Sequence, residues 1–226
     1  LLDYAAHKHP DLRLHLSVQA AASNPETIHF YQQAFNIKRV VLPRVLSVAE
    51  IAALNKEISV ETEVFVFGGL CVMAEGRCAL SSYVTGQSPN TNGVCSPACA
   101  VRYEEDGDRM VSRLGDFTIN AFEADEPAGY PTLCKGRFVA RGTASYLFED
   151  PVSLNAASIL PELTAAGVTG LKIEGRQRGK AYIAEVVSSF RHAVDSLADG
   201  MVEASDLTAI AEGQRKTSGA YDKTWR

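Results

Sequence analysis

The chain has 226 residues, 46% of them hydrophobic, a formal net charge of −5 and a pI of about 5.6. No apolar run approaches the roughly 18 residues of a membrane helix, so the sequence predicts no membrane span. The acidic balance argues against nucleic-acid binding, which depends on clustered Lys and Arg, and with no signal peptide in view we expect a cytoplasmic protein with a small-molecule or protein partner.

Apolar strands alternate with helical patterns in the first part of the chain. In chain order, the patterns predict a strand at 14–20, a helix from 24 to about 35, a strand at 39–42, a helix from 47 to about 56 and a strand at 63–67. The first helix begins with an Asn24 cap followed by Pro25, and the second with the capping-box pair Ser47 and Glu50. This alternation predicts parallel βαβ units.

From residue 68 to about 149 the pattern breaks into Gly, Pro, Ser and Asn, and this region holds all five cysteines. Strand and helix order then returns, with a helix at 155–166, a strand at 171–174 and a helix at 180–197. Pro161 is expected to kink the first of these helices or to open its final part. The predicted organisation is therefore barrel βα units at 1–67, a cysteine-bearing region at 68–150, and the last βα unit with a C-terminal tail at 151–226.

Four βα units resemble half of a (β/α)8 barrel, whose active sites lie at the carboxyl ends of the strands. A full barrel needs roughly 250 residues, so we expect half of the barrel to be missing from this chain. The predicted fold is α/β, half of a TIM-like barrel with a cysteine-bearing insertion. A doubly wound sheet is the alternative, but no Gly-x-Gly-x-x-Gly turn follows any strand.

Four cysteines have the spacing Cys71-x6-Cys78-x16-Cys95-x38-Cys134. This spacing suits an iron–sulfur cluster, because four thiolate ligands need only converge in space. Structural zinc usually takes two short Cys-x2–4-Cys hairpins, and only Cys95 and Cys99 come close to one. Disulfides are disfavoured by the odd number of cysteines and by a reducing cytosol. Free buried cysteines are the remaining alternative.

A family resemblance becomes specific at residues 63–81, EVFVFGGLCVMAEGRCALS. Further motifs are SPNT at 88–91, CSPA at 95–98, GYPTLCKGR at 129–137, LPEL at 160–163 and KIEGRQR at 172–178. Together they resemble the peptidase U32 (collagenase-like) family over nearly the whole chain. The first motif departs from the family only at Gly69, where Ser or Ala is usual.

The resemblance implies that Cys71, Cys78, Cys95 and Cys134 hold a [4Fe–4S] cluster and that Cys99 is a spare thiol. Within the family, the chain most resembles the ubiquinone-biosynthesis members of the UbiU type. That similarity implies an O2-independent hydroxylase that acts on a ubiquinone precursor as a heterodimer with a homologous UbiV-like partner. Other members hydroxylate bases of rRNA or tRNA, with prephenate implicated as the hydroxyl donor. The family fold implies that this chain begins near the fourth helix. We therefore expect it to be the C-terminal half of the barrel, with the N-terminal strands missing from this chain.

Four charged residues lie at the end of the last predicted strand, where barrel active sites form: Lys172, Glu174, Arg176 and Arg178. We predict that Arg176 anchors a carboxylate such as that of prephenate, because the planar guanidinium binds carboxylates bidentately. The alternative is a solvated charge or a salt bridge to Glu174. Arg44 and Gln19 are further candidates for substrate contact.

His15 lies in the first predicted strand and is a catalytic candidate, with a hydrogen-bonded core histidine as the alternative. The five histidines have no His-Glu-x-x-His spacing, and the sequence places no nucleophile beside an oriented base. Despite the family's name, we therefore do not expect peptidase activity.

Three functions stay open at this point. The chain is the cluster-bearing subunit of a hydroxylase in ubiquinone biosynthesis, a related hydroxylase of RNA bases, or a non-catalytic metal-stabilised scaffold of the biosynthetic complex. The net charge of −5 favours the first over the second, because RNA contacts need a basic surface.

Overall fold

The computed structural model describes residues 1–71, 73, 75, 78–176, 178–197, 200 and 204–223. Two compact units divide the chain. The first unit contains residues 1–70 and 153–226, and the second contains residues 71–152. Each unit has its own hydrophobic cluster, as expected for parts that pack separately.

Regular elements are named here in chain order. The helices of the described residues are α1 (Leu2–Lys8), α2 (Pro25–Phe35), α3 (Val48–Glu57), α4 (Ala79–Thr85), α5 (Pro89–Asn92), α6 (Leu160–Ala165) and α7 (Lys180–Leu197). The strands are β1 (His15–Leu16), β2 (Arg39–Val41), β3 (Glu61–Gly69), β4 (Val101–Asp106), β5 (Arg109–Leu114), β6 (Phe117–Phe122), β7 (Arg137–Ala140), β8 (Thr143–Tyr146), β9 (Ser153–Asn155), β10 (Gly170–Ile173) and β11 (Lys216–Thr217). Short 3-10 helices occupy Val18–Ala20, Ala98–Ala100, Leu133–Lys135, Ala157–Ile159, Thr208–Ile210 and Glu212–Gln214.

The first unit is built on a six-stranded, mostly parallel sheet. Strands β1, β2 and β3 are parallel neighbours in that order, and β10 adds to β3 in parallel. Only the pairing of β3 with β9 is antiparallel, and β11 continues parallel to β9. The fold is therefore mixed α/β, and its parallel strands with intervening helices are consistent with part of a (β/α)8 barrel.

Local capping sets the starts of the two N-terminal βα helices. The Asn24 side chain accepts a hydrogen bond from the Thr27 amide at 2.8 Å at the start of α2. At the start of α3, Ser47 and Glu50 form a complete capping box, in which each side chain accepts from the other residue's amide. Both predicted helix starts are confirmed.

The core of the first unit lies between the sheet and the helices around it. Among its fully buried side chains are Ile28 of α2, Ile51 of α3, Phe67 of β3 and Leu163 of α6. Burial of each such side chain contributes about 1.5–3 kcal/mol, which stabilises the packing of the helices on the sheet. This hydrophobic core supports the strands whose ends carry the polar residues.

The second unit contains antiparallel strands that the sequence patterns did not predict. Strands β4, β5 and β6 form a three-stranded meander, and β7 pairs with β8. The β7–β8 turn has two residues at positive φ, Arg141 and Gly142, which is the conformation of a tight hairpin. Its small core comprises Val84, Leu114 and Ile119.

Two predicted boundaries differ from the structure. The strand expected at 14–20 is shortened to β1, because Ser17 caps a 3-10 helix by accepting from the Gln19 amide at 3.3 Å. The helix expected at 155–166 is split into a 3-10 turn and α6, with Pro161 in the first turn of α6. Pro161 thus opens the final part of that segment, one of the two predicted outcomes.

Candidate functional site

All five cysteines lie in the second unit. Cys71 and Cys99 are exposed, whereas Cys78, Cys95 and Cys134 are half-buried. The structure contains no disulfide between them, so each is a free thiol. Half-burial keeps the last three thiols close to the protein backbone, where amide and hydroxyl groups can orient them.

Ser81 connects the segments that carry Cys78 and Cys95. Cys78 is the cap residue of α4, and its Sγ accepts a hydrogen bond from the Ser81 amide at 3.3 Å. The Ser81 hydroxyl donates to the backbone carbonyl of Cys95. Since the Ser81 side chain is buried, this bond is shielded from water. The two cysteine segments are therefore linked through one residue.

Cys134 interacts with thiols from two other segments. It lies in the 3-10 helix 133–135, and burial raises the pKa of its thiol to about 12. Lys135 opposes that rise, while the charges of Cys95, Glu149 and Cys71 add to the pKa. The pKa of the Cys134 thiol therefore depends on groups from the Cys71 and Cys95 segments as well as on its own burial.

Tyr130 approaches the same neighbourhood. Its hydroxyl donates to the Ser96 carbonyl at 2.9 Å. Burial raises the pKa of the Tyr130 hydroxyl, and charges at Tyr103, Cys95 and Cys99 add to the rise. Tyr130 is therefore close to both thiols of the Cys95–Cys99 segment.

A metal site requires several donor side chains that converge on one point. Within the described ranges, no group of three or more His, Cys, Asp or Glu side chains is arranged to hold a metal ion. The thiols nonetheless fit zinc or an iron–sulfur cluster in kind, because thiolates are the usual ligands of both and all five cysteines lie in one unit. Cys71, Cys78, Cys95 and Cys134 as cluster ligands remain a prediction.

A second polar group lies at the carboxyl ends of the strands in the first unit. The Arg44 guanidinium stacks 3.5 Å above the centroid of the Phe65 ring, and its Nη2 donates to Glu174 Oε2 at 3.1 Å. Only 11% of the Arg44 side chain is exposed. A stacked and nearly buried guanidinium is held in one orientation, as a carboxylate-binding group requires.

Gly68 makes room for Glu174. The Glu174 amide donates to the Phe67 carbonyl at 2.9 Å, which brings Glu174 directly against the next residue of β3. Gly68 has a φ of +132°, and a Cβ at this position would lie 2.5 Å from the Glu174 Cβ. A glycine is therefore required where β3 and the segment after β10 meet.

Further polar side chains reach the strand ends from α7 and from the tail. Arg178 Nη2 donates to Glu212 Oε1 at 2.5 Å, and its guanidinium lies 5.3 Å from the Tyr182 ring centroid. Burial raises the pKa of Tyr182, Arg178 lowers it in part, and Glu174 and Glu212 raise it. The Tyr182 hydroxyl oxygen is buried and has no hydrogen-bond partner among the described residues. We call Arg44, Glu174, Arg178, Tyr182 and Glu212 the strand-end group.

The predicted substrate residues fall in different places. Arg176 is exposed in the turn after β10 and has no hydrogen bond or ion pair within the described part of the chain. His15 is exposed in β1 and pairs with Arg39, which in turn pairs with Glu61, the first residue of β3. Glu174 instead contacts Phe67, near the other end of β3. The rise of β3 from Glu61 to Phe67 therefore separates the level of His15 from that of Glu174 by roughly 20 Å. Glu174 and Arg44 meet, and His15 is remote from them along the strand.

Three residues of this region were not predicted from sequence: Tyr182, Glu212 and Tyr221. The Tyr221 hydroxyl donates to the Phe65 carbonyl at 2.6 Å. Burial raises the pKa of this hydroxyl, and the charge of Arg44 lowers it in part. Tyr182 could have been found, because it lies one helical turn before the buried Val186 on α7. Glu212 and Tyr221 lie in a tail that has no periodic pattern.

The chain was compared with families of known proteins. The model of peptidase family U32 matches residues 1–224. No solved structure matches the chain significantly. None of the helices in the described ranges combines the length and the apolar character needed to cross a membrane.

Curated relatives extend this comparison. The chain is 34% identical to "tRNA hydroxylation protein P" of Escherichia coli (strain K12), over 90% of this chain and 49% of that protein. It is 27% identical to "23S rRNA 5-hydroxycytidine C2501 synthase" of the same organism, over 91% of this chain and 26% of that protein. It is 26% identical to "Collagenase" of Porphyromonas gingivalis, over 84% of this chain and 41% of that protein. The chain thus spans about half the length, or less, of these relatives.

Proposed function

The chain belongs to peptidase family U32, and we propose that it forms part of an O2-independent hydroxylase that acts on a base of RNA. The observation that carries the proposal is the 34% identity to a tRNA hydroxylation protein over 90% of this chain. A relative named for 5-hydroxycytidine synthesis in 23S rRNA supports the same chemistry. The sequence alone favoured a ubiquinone precursor and argued against nucleic acid, and these names reverse that preference.

Four thiols are proposed to hold the redox centre. Cys71, Cys78, Cys95 and Cys134 would be the ligands of a [4Fe–4S] cluster, which when bound supplies electron-transfer chemistry without O2. Support comes from their common unit and from the hydrogen bonds by which Ser81 links the Cys78 and Cys95 segments. Cys99 is proposed to lie outside the ligand set. We propose further that this region is an insertion in a barrel whose N-terminal strands are not in this chain.

The strand-end group is proposed to orient the substrate or its hydroxyl donor. If the donor is a dicarboxylate such as prephenate, the stacked Arg44 offers a fixed guanidinium fork, and Glu174 would release one N–H donor to it. Arg176, exposed beside this group, would supply a second cation. His15 is a weaker candidate here, because it lies far from Glu174 along the sheet.

Overall charge favours a second candidate, hydroxylation of a ubiquinone precursor with a UbiV-like partner. The net charge of this chain is −5, and an RNA-binding surface is normally basic. Because the chain spans half or less of its relatives, a basic surface elsewhere in a longer protein is compatible with the RNA proposal.

One experiment separates the candidates. The full-length protein is reconstituted anaerobically with iron and sulfide, and is then supplied with prephenate and with tRNA, rRNA or a ubiquinone precursor. Mass spectrometry of nucleosides and quinones detects the added oxygen atom. Hydroxylated tRNA or rRNA nucleosides are expected. A hydroxylated quinone with unmodified RNA would instead support the second candidate, and no hydroxylation of any substrate would support the scaffold.

A matched pair of variants tests the ligand assignment. Cys134→Ser is expected to lose the roughly four irons and the sulfide of a [4Fe–4S] centre, because one of its four thiolates is gone. Cys99→Ser makes the same chemical change in the same unit and is expected to retain both. One zinc per chain without sulfide in the unmodified protein would overturn the cluster.

A further inference from the structure

Two side-chain hydroxyls hold adjacent carbonyls in the segment that carries Cys95. The Ser81 hydroxyl donates to the Cys95 carbonyl, and the Tyr130 hydroxyl donates to the Ser96 carbonyl at 2.9 Å. Both accepting residues are turned inward, since Cys95 is half-buried and Ser96 is fully buried. The Cys95–Ser96 backbone is therefore fastened from two directions.

The two donors come from the segments of two other cysteines. Ser81 follows Cys78 by three residues in α4, and its own amide donates to the Cys78 Sγ at 3.3 Å. Its position in the helix is fixed in turn, because Thr85 Oγ1 donates to the Ser81 carbonyl at 2.8 Å. Ser81 thus bonds both to the Cys78 thiol, through its amide, and to the Cys95 backbone, through its hydroxyl.

Tyr130 performs the corresponding role from the other side. It precedes Cys134 by four residues. The charges of Cys95 and Cys99 act on its hydroxyl, which is further evidence that the ring tip lies beside that segment. A tyrosine has only two rotatable side-chain bonds, so a buried hydroxyl bond fixes its position at a small cost in conformational entropy.

We propose that Ser81 and Tyr130 are positioning residues that hold the Cys95 thiol between the Cys78 and Cys134 segments and so present these thiols together to a soft metal. The inference deepens the proposed cluster role and rests on it for the identity of the metal. The proposal that Cys95 is held in place rests only on the hydrogen bonds from the Ser81 and Tyr130 hydroxyls to the Cys95 and Ser96 carbonyls.

Alkylation of the metal-free, full-length protein tests the holding directly. N-ethylmaleimide modification of each cysteine is followed by fragment-ion mass spectrometry in Ser81→Ala, Tyr130→Phe and the double variant. Loss of one net hydrogen bond should raise the Cys95 rate about fivefold. The exposed Cys99 should keep its rate in all variants. Unchanged Cys95 rates in the double variant would overturn the proposal.

Two control variants remove comparable bonds. Ser82→Ala removes a hydroxyl that donates to the Cys78 carbonyl at 2.9 Å within its own helix. Tyr103→Phe removes a hydroxyl that donates to the Gly129 carbonyl at 3.2 Å. Both should leave the Cys95 rate unchanged. Equal acceleration in the controls and the test variants would assign the effect to general loosening of the unit and would overturn the positioning role.

Metal binding provides the second readout and separates this inference from the proposed function. Cd²⁺ alone is titrated into the metal-free full-length protein, and the thiolate absorption band reports binding. Ser81→Ala and Tyr130→Phe should each weaken the affinity about fivefold. A parent protein that takes up neither Cd²⁺ nor iron, while its Cys95 rate still responds, would refute the cluster and keep the positioning role. If the variants load fully with metal and keep the Cd²⁺ affinity and the Cys95 alkylation rate of the parent protein, the positioning role is overturned and the cluster is kept.

Discussion

Replacing Gly68 with alanine should destabilise the protein strongly, because a new Cβ has no room at this point of β3. Gly68 has a φ of +132°, and its substituted Cβ would lie 2.5 Å from the Glu174 Cβ. The backbone conformation costs a non-glycine residue about 1–3 kcal/mol, and overpacking adds about 1–3 kcal/mol. The expected fall in the free energy of unfolding is therefore about 4 kcal/mol. The clash also displaces Glu174 from Arg44.

Urea unfolding of the full-length protein, followed by circular dichroism, measures this loss. Gly86→Ala is the matched control, because Gly86 has a φ of +68° but no neighbouring atom within 4 Å of the added Cβ. It should lose only the backbone cost of about 1–2 kcal/mol. Equal losses for the two variants would refute the reasoning that the contact with Glu174 sets the cost at Gly68.

Three smaller effects can be measured by the same unfolding assay. Asn24→Ala removes the cap of α2 and should cost about 1 kcal/mol, and no loss would mean that water replaces the cap. The Ser47 amide and the Ser47 hydroxyl both donate to the Glu50 carboxylate and hold its pKa below the ordinary value of 4.5, and Ser47→Ala removes the hydroxyl bond. A lowered carboxyl pKa stabilises the fold above the unfolded pKa and stops doing so as pH falls through the folded pKa, so this variant's deficit should shrink from neutral pH to about pH 3. A deficit independent of pH would contradict that link. Tyr221→Phe leaves the Phe65 carbonyl without its hydroxyl donor and should cost about 1 kcal/mol, with the loss absent if another donor takes its place.

Local sequence patterns predicted the βα units of the first unit well. The Ser47 and Glu50 capping box forms as expected, and the strand expected at 63–67 lies inside β3. Both signals act over few residues: a cap joins residues three apart, and strand periodicity reflects burial on alternate sides. The strand at 14–20 was predicted too long, because Ser17 bonds to its own local backbone instead of extending the ladder.

The strand-end group was predicted only in part. Glu174 was expected near the active site and meets Arg44, which is 130 residues away in sequence. The helical pattern of α7 places Tyr182 on the face of the buried Val186 but does not identify its contact with Arg178, and Glu212 has no periodic pattern around it. Arg176, the expected anchor, is exposed in the turn after β10, whereas Arg44, which follows β2, is the arginine that stacks on Phe65.

The sequence by itself determined the family, the alternation of strands and helices and the identity of the candidate thiols, because motifs and periodicities are local properties of the chain. The tertiary structure alone decided that Ser81 and Tyr130 meet at the Cys95 segment, and that Arg44 lies on Phe65 against Glu174. Those contacts join residues far apart in sequence, and their existence depends on how whole elements pack. A pattern of neighbouring residues carries no record of such packing.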